Sequence, residues 1–302
     1  MCSRRDFLNI LEDQASRNIV RLTCDELCPQ ILSGISVAEP FLKMKSQTHL
    51  TISSASATAL IILSFLSLAS AAPIPQLTLA PRTHEGSFQS TNWSGYAVTG
   101  ASGSVSDAKG SWTVPAIQGS CPSTNQYSSF WVGIDGFSSG TVEQTGTDSD
   151  CQNGAPTYYA WYEFYPHPAF LINGLTITPG DHITAEASFS ARSFTVTITD
   201  TTTHHSFSTS ARVHSAQRSS AEWIAEAPSS SGGILPLADF GTVSFSSCTA
   251  MVSGASGTIG SFGSSVQVIT MVSNSGAVKA QPSSLSGSGG DSFSVTWKSS
   301  GP

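Results

Sequence analysis

Residues 130–146 read FWVGIDGFSSGTVEQTG, and this stretch decides the fold. It opens with a bulky apolar run, passes through glycines and an aspartate, and ends in a second extended piece that carries Gln144. Two extended runs joined by turn residues are typical of a β-hairpin. Further along the chain, residues 220–227 read SAEWIAEA, and the second carboxylate of this segment is Glu226. We expect a β-sheet to bring Gln144 and Glu226 together.

The rest of the chain also has the pattern of β-strands. Apolar and polar residues alternate in three windows, at residues 175–178, 194–198 and 293–297. Turn sequences rich in Gly, Pro, Asn and Ser separate these windows. From residue 92 onward, no stretch of sequence has a helical period with capping residues. We therefore predict one all-β domain over residues 91–302, an antiparallel sandwich or barrel.

The charge of the chain is sparse and acidic. Charged residues make up 11% of the sequence, and the net charge is −7. From residue 72 onward there are seven Lys and Arg against fourteen Asp and Glu, so this part carries the whole net charge. Such a surface lacks the basic stripe that nucleic acid needs, and we expect no nucleic-acid partner. In acid its carboxylates become neutral and few positive charges remain to repel one another, which fits an extracellular protein adapted to acid.

The amino-terminal part has the features of a secretory signal. Residues 57–68, ATALIILSFLSL, are too short to span a bilayer comfortably, and they lie between two lysines and a small-residue cleavage pattern that ends at Ala71. We assign residues 44–71 to a signal peptide, residues 1–43 to an upstream extension outside the mature protein, and residues 72–90 to a short pro-segment or linker. A retained signal-anchor is the alternative. With cleavage, we expect a secreted, extracellular monomer without stable membrane association.

The cysteines predict a disulfide and no metal site. Cys121 precedes the opening stretch and Cys151 follows it in the predicted turn, so in an oxidising compartment they can close a loop of about thirty residues. Cys248 then remains as a small buried hydrophobe. Cys24 and Cys28 have no second ligand pair, the histidines lack metal-ligand spacing, and we expect no metal or cofactor.

Residues 92–94, Asn-Trp-Ser, form a glycosylation sequon that requires exposure, whereas a strand beside Trp93 would bury it.

Several polar residues are embedded in aromatic strands, which in a chain this poor in charge indicates either buried pairs or a cleft. No nucleophile elbow, zinc helix or aspartic-peptidase motif occurs in the body of the chain. The embedded residues are Trp131, Asp135, Gln144, Trp161, Glu163, Glu222 and Glu226.

In these residues the chain resembles the glutamic peptidases, or eqolisins, a family of secreted acid endopeptidases. The resemblance extends from Asn92 to about Trp297. It is carried by Asn92-Trp93, FWVGIDG at 130–136, QTG at 144–146, AWYEFYP at 160–166 and AEWIAE at 221–226. It implies a β-sandwich of two curved antiparallel sheets, of the concanavalin or jelly-roll type, with polypeptide substrate across the concave side.

The resemblance also implies roles for the residues. The family's glutamine falls on Gln144 and its catalytic glutamate on Glu226, while Trp131, Asp135, Glu163 and Trp161 occupy positions in or near the cleft. A glutamate can activate water as a general base and then protonate the leaving amine, and an amide can donate to the developing oxyanion. Because a free Glu has a pKa of about 4.3 and an amide does not titrate, we expect the pair to work in acid.

Two features differ from the family pattern. The hairpin after Glu226, APSSSGG at 227–233, is short and has no cysteines, and Tyr159 stands where some members carry an aspartate.

Two other functions fit part of the pattern. A retaining glycosidase would use Glu163 and Glu226 across a groove, with Trp131 and Trp161 as sugar platforms, and would give Gln144 no essential task. A carbohydrate-binding module would use the acids only structurally.

Overall fold

The computed structural model describes residues 89–301. The upstream extension, the signal peptide and nearly all of the linker lie outside these described residues. Within them the chain forms 18 β-strands and one 3-10 helix, Ile259–Ser265. The strands are β1 Gln89–Ser90, β2 Trp93–Thr99, β3 Val105–Thr113, β4 Ser129–Ile134, β5 Val142–Gln152, β6 Ala155–Tyr165, β7 Phe170–Leu171, β8 His182–Ser190, β9 Ser193–Asp200, β10 His205–Ala211, β11 Ser220–Glu226, β12 Ser229–Ser230, β13 Gly233–Ile234, β14 Thr242–Val252, β15 Ala255–Thr258, β16 Val266–Val272, β17 Val278–Pro282 and β18 Phe293–Trp297.

The strands form two packed layers. The first layer has the order β10-β9-β8-β3-β14-β18-β17 and the second the order β16-β2-β11-β4-β5-β6-β7. Pairing of β16 with β17 joins the two layers, and every neighbouring pair along this path is antiparallel. Strands β4 and β5 of the second layer face β8 and β9 of the first. The predicted antiparallel β-sandwich is therefore confirmed.

The core lies between the layers and follows from the alternation of side chains along each strand. In β9, Phe194, Val196 and Ile198 point inward and are buried, as their spacing predicts. In β11 the inward residues include Trp223, whose indole donates to the Lys109 carbonyl at 2.8 Å. One face of the second layer therefore lies in this core, and its other face is available to the predicted site residues.

Two local predictions differ from the structure. Residues 175–178 form no strand, although Leu175 and Ile177 are buried. Glycine and proline turns at 174 and 179–180 flank this stretch, so it packs as a loop that lines the core. The 3-10 helix was missed because its sequence, IGSFGSS, is too short and too rich in Gly and Ser to show a period.

The Cys121–Cys151 disulfide is present, and Cys248 is buried in β14. The strand β5 continues to Gln152, so Cys151 lies inside the strand and not in a turn after it. The bridge thus ties the loop before β4 to the far end of β5. No helix within residues 89–301 is long and apolar enough to cross a membrane.

Candidate active site

The register of the second layer collects the polar residues on one face. In β11, Ala221, Trp223 and Ala225 belong to the core, so the alternate residues Glu222, Ile224 and Glu226 point to the other side. Glu226 pairs with Trp93 of β2 and with Ser129 of β4.

The neighbouring strands extend this arrangement. Trp131 of β4 pairs with Gly146 of β5, and Gln144 of β5 pairs with Glu163 of β6. Cross-strand partners in an antiparallel ladder share a face. We call the side of the second layer that carries Trp93, Trp131, Gln144, Glu163 and Glu226 the site face.

Two N–H donors fix the carboxyl group of Glu226. The Trp131 indole donates to Oε2 at 2.9 Å, and the Asn92 amide donates to Oε1 at 3.3 Å. Ser90 fixes Asn92 in turn, since its hydroxyl donates to the Asn92 amide oxygen at 3.1 Å. Burial raises the pKa of Glu226 well above its ordinary value, and the donors Trp131 and Asn92 oppose that shift. A buried carboxyl group with two fixed donors is held in one orientation, as a group that exchanges a proton with a substrate or a water requires.

Gln144 is oriented by Glu163. The Gln144 Nε2 donates to Glu163 Oε2 at 2.7 Å, which assigns the amide nitrogen to that side. Burial raises the pKa of Glu163 well above its ordinary value, the hydrogen bond from Gln144 lowers it, and the nearby Glu226 charge raises it. Gln144 Oε1 and Glu163 Oε1 are buried and have no hydrogen-bond partner among the described residues. Two buried polar atoms of the site face are therefore left without a partner among the described residues.

A second acidic cluster lies beside Glu226 on the same face. The Trp161 indole donates to Asp148 Oδ1 at 2.6 Å. The Tyr159 hydroxyl lies 2.9 Å from Asp148 Oδ2 and 2.8 Å from Asp150 Oδ2. Burial raises the pKa of Asp148 to about 7, against the donors Tyr159 and Trp161. Burial and the Asp148 charge raise the pKa of Asp150 well above its ordinary value.

Two glycines pack closely against Trp131 and Gln144. A Cβ on Gly146 would lie 2.7 Å from Trp131 Cβ and 2.3 Å from the Phe130 carbonyl oxygen. A Cβ on Gly133 would lie 2.9 Å from Gln144 Cβ and 3.1 Å from the Trp131 ring. These separations leave no room for a side chain, so both positions need glycine for Trp131 and Gln144 to lie where they do.

The other predicted site residues are placed differently. Asp135 has a left-handed backbone with φ of 71°, and its carboxylate accepts from the backbone N–H groups of Arg218 at 2.6 Å and Ser219 at 2.8 Å. These contacts favour an anchoring role for Asp135 between the β4–β5 turn and the segment before β11. Trp161 lies on the site face but its indole is held by Asp148, and both residues are buried.

Sequence reasoning missed three members of the site. Asn92 is buried and its Nδ2 contacts Glu226, so the sequon cannot carry a glycan in this arrangement. Asp148 and Asp150 were not among the predicted site residues, although their spacing of two places both beside Tyr159. Nothing in the described part of the chain groups three or more His, Cys, Asp or Glu side chains as a metal site.

Comparison with known proteins identifies the family. The peptidase A4 family matches residues 91–297. Aspergillopepsin-2 from Aspergillus niger is 31% identical over 232 residues, which are 69% of this chain and 78% of that protein.

Solved structures agree with this match. The structure of scytalido-glutamic peptidase with a transition state analog inhibitor superposes with a TM-score of 0.59 at 28% identity, over 69% of this chain and 98% of that one. An eqolisin, SCP-B, in complex with the tripeptide Ala-Ile-His gives a TM-score of 0.54 at 26% identity over the same shares of the two chains. These matches favour peptide hydrolysis over the glycosidase and carbohydrate-binding alternatives. The chain belongs to the peptidase A4 family, the glutamic peptidases or eqolisins, and is a hydrolase of peptide bonds.

Proposed function

We propose that this protein is a secreted acid endopeptidase in which Gln144 and Glu226 form the catalytic pair. The observation that carries the proposal is the fixed carboxyl group of Glu226, held by Trp131 and Asn92 on the same sheet face as the amide of Gln144. A carboxyl group and an amide on one rigid sheet are the two groups that general acid–base hydrolysis of an amide requires.

Glu226 takes the proton-transfer role. As a carboxylate it removes a proton from the attacking water, and as the acid it returns that proton to the leaving amine. The N–H groups of Trp131 and Asn92 stabilise the carboxylate form, whereas burial stabilises the acid form. Burial outweighs the two donors, so the pKa of Glu226 in the free site lies well above its ordinary value.

Gln144 takes the oxyanion role. A primary amide has two N–H groups, and Gln144 uses one of them for Glu163. The second N–H remains to donate to the oxyanion that forms at the scissile carbonyl, and the free Oε1 can orient the water. Glu163 is then a positioning residue that keeps the amide nitrogen on the correct side.

Substitution of each member of the pair tests the proposal. We expect Gln144→Ala and Glu226→Gln to lower kcat for cleavage of an acid-denatured protein by on the order of 100- to 1000-fold or more, because each removes a group that acts in the transition state. Gln281→Ala and Glu186→Gln are matched controls on other strands and should keep wild-type activity. Circular dichroism and the melting temperature check that each variant is folded. Proteolysis that survives in both Gln144→Ala and Glu226→Gln would exclude this mechanism.

Secretion is the second part of the proposal. It is supported by the signal pattern at residues 44–71 and by the Cys121–Cys151 disulfide, since disulfides persist in oxidising compartments. Intact and peptide mass spectra of the protein recovered from culture medium test it. We expect an amino terminus at or after Ala72 and a mass two hydrogens below that of the reduced chain; recovery of the protein only inside cells would contradict secretion.

A further inference from the structure

Lys279 is a buried cation beside a pocket. It lies in β17 and is 1% exposed, yet among the described residues it has no carboxylate partner. Within residues 89–301 its Nζ donates to the Thr91 carbonyl oxygen, at 3.4 Å. Burial lowers the pKa of Lys279 to about 8, so the group is charged in acid. A buried charge without a counter-ion is costly, and that cost falls if an anion binds next to it.

The pocket has the size and chemistry for such an anion. Its volume is about 240 Å³, far above the ~10–15 Å³ that a single water needs. Lys279 is the one charged residue of its lining, and the other groups are neutral, mostly polar side chains and glycines with two aliphatic side chains. The other lining residues are Thr91, Gly232, Gly233, Ile234, Val272, Ser273 and Asn274. One cation among neutral groups suits a single carboxylate better than a multiply charged phosphate.

The pocket adjoins the candidate active site. Thr91, which lines it, directly precedes Asn92, and the Asn92 amide contacts Glu226. The glycines on the opposite wall belong to the hairpin of β12 and β13, which begins three residues after Glu226. Both walls therefore extend from the two strands that hold Glu226. A peptide on the site face could place one of its own groups here.

The aliphatic part of the Lys279 side chain is tightly packed. Gly301 packs against it so closely that a Cβ there would lie 2.6 Å from Lys279 Cε. The backbone N–H groups of Lys298 and Ser299 both donate to the Lys279 carbonyl oxygen. The Lys279 side chain therefore packs against Gly301, and since it is only 1% exposed it does not extend into solvent.

We propose that this pocket is a carboxylate-binding subsite, in which Lys279 receives an acidic side chain or the terminal carboxylate of a peptide. The inference rests on the proposed function for its peptide ligand, but the binding itself does not require catalysis. It makes Lys279 a specificity-determining residue, separate from the catalytic pair.

A binding experiment on an inactive protein tests this subsite. The mature protein with Glu226→Gln is titrated at pH 6 with N-acetyl-glutamate amide, N-acetyl-glutamine and N-acetyl-glutamine amide, which carry a side-chain, a terminal and no carboxylate. We expect at least one carboxylate ligand to bind about tenfold or more tightly than the amide, as a hydrogen bond between charged groups provides. The preference should fade below a pH of about 4, where the ligand is protonated, and above a pH of about 8, where Lys279 is neutral.

Two variants make the result specific to Lys279. Lys279→Met keeps the length and packing of the stem and should remove the carboxylate preference, whereas Lys298→Met changes an exposed lysine nearby and should keep it. Equal binding of the three ligands, or a preference that survives Lys279→Met in a folded protein, would overturn the subsite. If the carboxylate preference appears but Gln144→Ala and the Glu226 variant still cleave protein, the catalytic assignment fails and the subsite stands.

Discussion

The single hydrogen bond between Gln144 and Glu163 determines which end of the amide faces Glu163. Without an acceptor at residue 163, the amide can rotate and present its oxygen where the oxyanion forms. An amide in that orientation would repel the developing negative charge.

Glu163→Leu should therefore lower kcat by about tenfold or more with little change in KM, because the lost contact acts on the transition state. Glu163→Gln should restore most of the activity, since its amide oxygen can accept the same hydrogen bond. Steady-state kinetics on a fluorogenic peptide measure both values. Equal losses in Glu163→Leu and Glu163→Gln would instead show that the carboxyl group itself takes part in the reaction, as in the glycosidase alternative.

At this scale the sequence predicts Gln144 and Glu226 as the catalytic pair, and that role stays a prediction, but it does not predict the residues that position them. Gln144 and Glu226 could be predicted because short motifs surround them. The role of Asn92 could not, because its sequence context equally fits a glycosylation site and only the pairing of β2 with β11 brings its amide to Glu226. Likewise the contacts of Asp135 with residues 218–219 join segments far apart in sequence.

At the scale of elements, the ladder between β5 and β6 places Tyr159 between two acids. A phenol has one proton, yet the Tyr159 hydroxyl lies within hydrogen-bond distance of both Asp148 and Asp150. One O–H cannot donate fully to both oxygens, so the Tyr159 hydroxyl shares its proton between Asp148 and Asp150. Burial and the Asp148 charge raise the pKa of Asp150 well above its ordinary value, which favours the neutral form of Asp150.

Tyr159→Phe should destabilise the protein more at pH 8 than at pH 4. At pH 4 both aspartates are neutral in the folded protein and the variant loses a neutral hydrogen bond, about 1 kcal/mol. At pH 8, above the Asp148 pKa of about 7, it loses a hydrogen bond to a charged group, about 1.5–3 kcal/mol. Denaturant unfolding at the two pH values measures the difference.

Tyr158→Phe serves as the control for that comparison. The Tyr158 hydroxyl accepts the Ile117 N–H at 3.1 Å and contacts no acid, so its loss should cost the same at both pH values. Identical pH behaviour of the Tyr158 and Tyr159 variants would show that the hydroxyl of Tyr159 does not share a proton with the aspartates.

Individual strands were predictable where one face is apolar and the other polar, as in β9 and β18. In β5 the alternation is absent, because residues 142–151 are buried on both faces. The burial of Asp148 and Asp150 therefore cannot be predicted from the pattern of this strand. Their burial depends on cover from Tyr159 and Trp161 of β6, which only the folded sheet provides.

For the whole molecule, buried acids with raised pKa values make stability depend on pH. Burial raises the pKa of Glu143 to about 9, with a further contribution from the Asp135 charge, and that of Asp148 to about 7. In the unfolded chain the pKa of each of these acids returns to its ordinary value near 4. Above a pH of about 4, the folded state therefore binds more protons than the unfolded state. Their contribution to stability is complete below a pH of about 4 and is lost as the pH rises through 7 and 9.

We therefore expect the free energy of unfolding to fall between pH 5 and pH 8, by about 1.4 kcal/mol per pH unit for Glu143 over this whole range and for Asp148 up to its pKa of about 7. Urea denaturation at several pH values measures this slope. Glu143→Gln should flatten the curve, because an amide needs no proton to stay neutral in its buried site. A pH-independent stability, or an unchanged slope in Glu143→Gln, would contradict this account.

Gly133 and Gly146, which pack against Trp131, limit the positions at which substitutions can change the substrate preference of this enzyme. Gly133 and Gly146 admit no side chain, so substitution at these two positions cannot reshape the site face without moving Trp131 or Gln144. We expect new substrate preferences to arise more readily at its rim, for example at Lys279 or in the short hairpin after Glu226. A laboratory library that aims to redirect cleavage should therefore vary those rim positions and leave the two glycines unchanged.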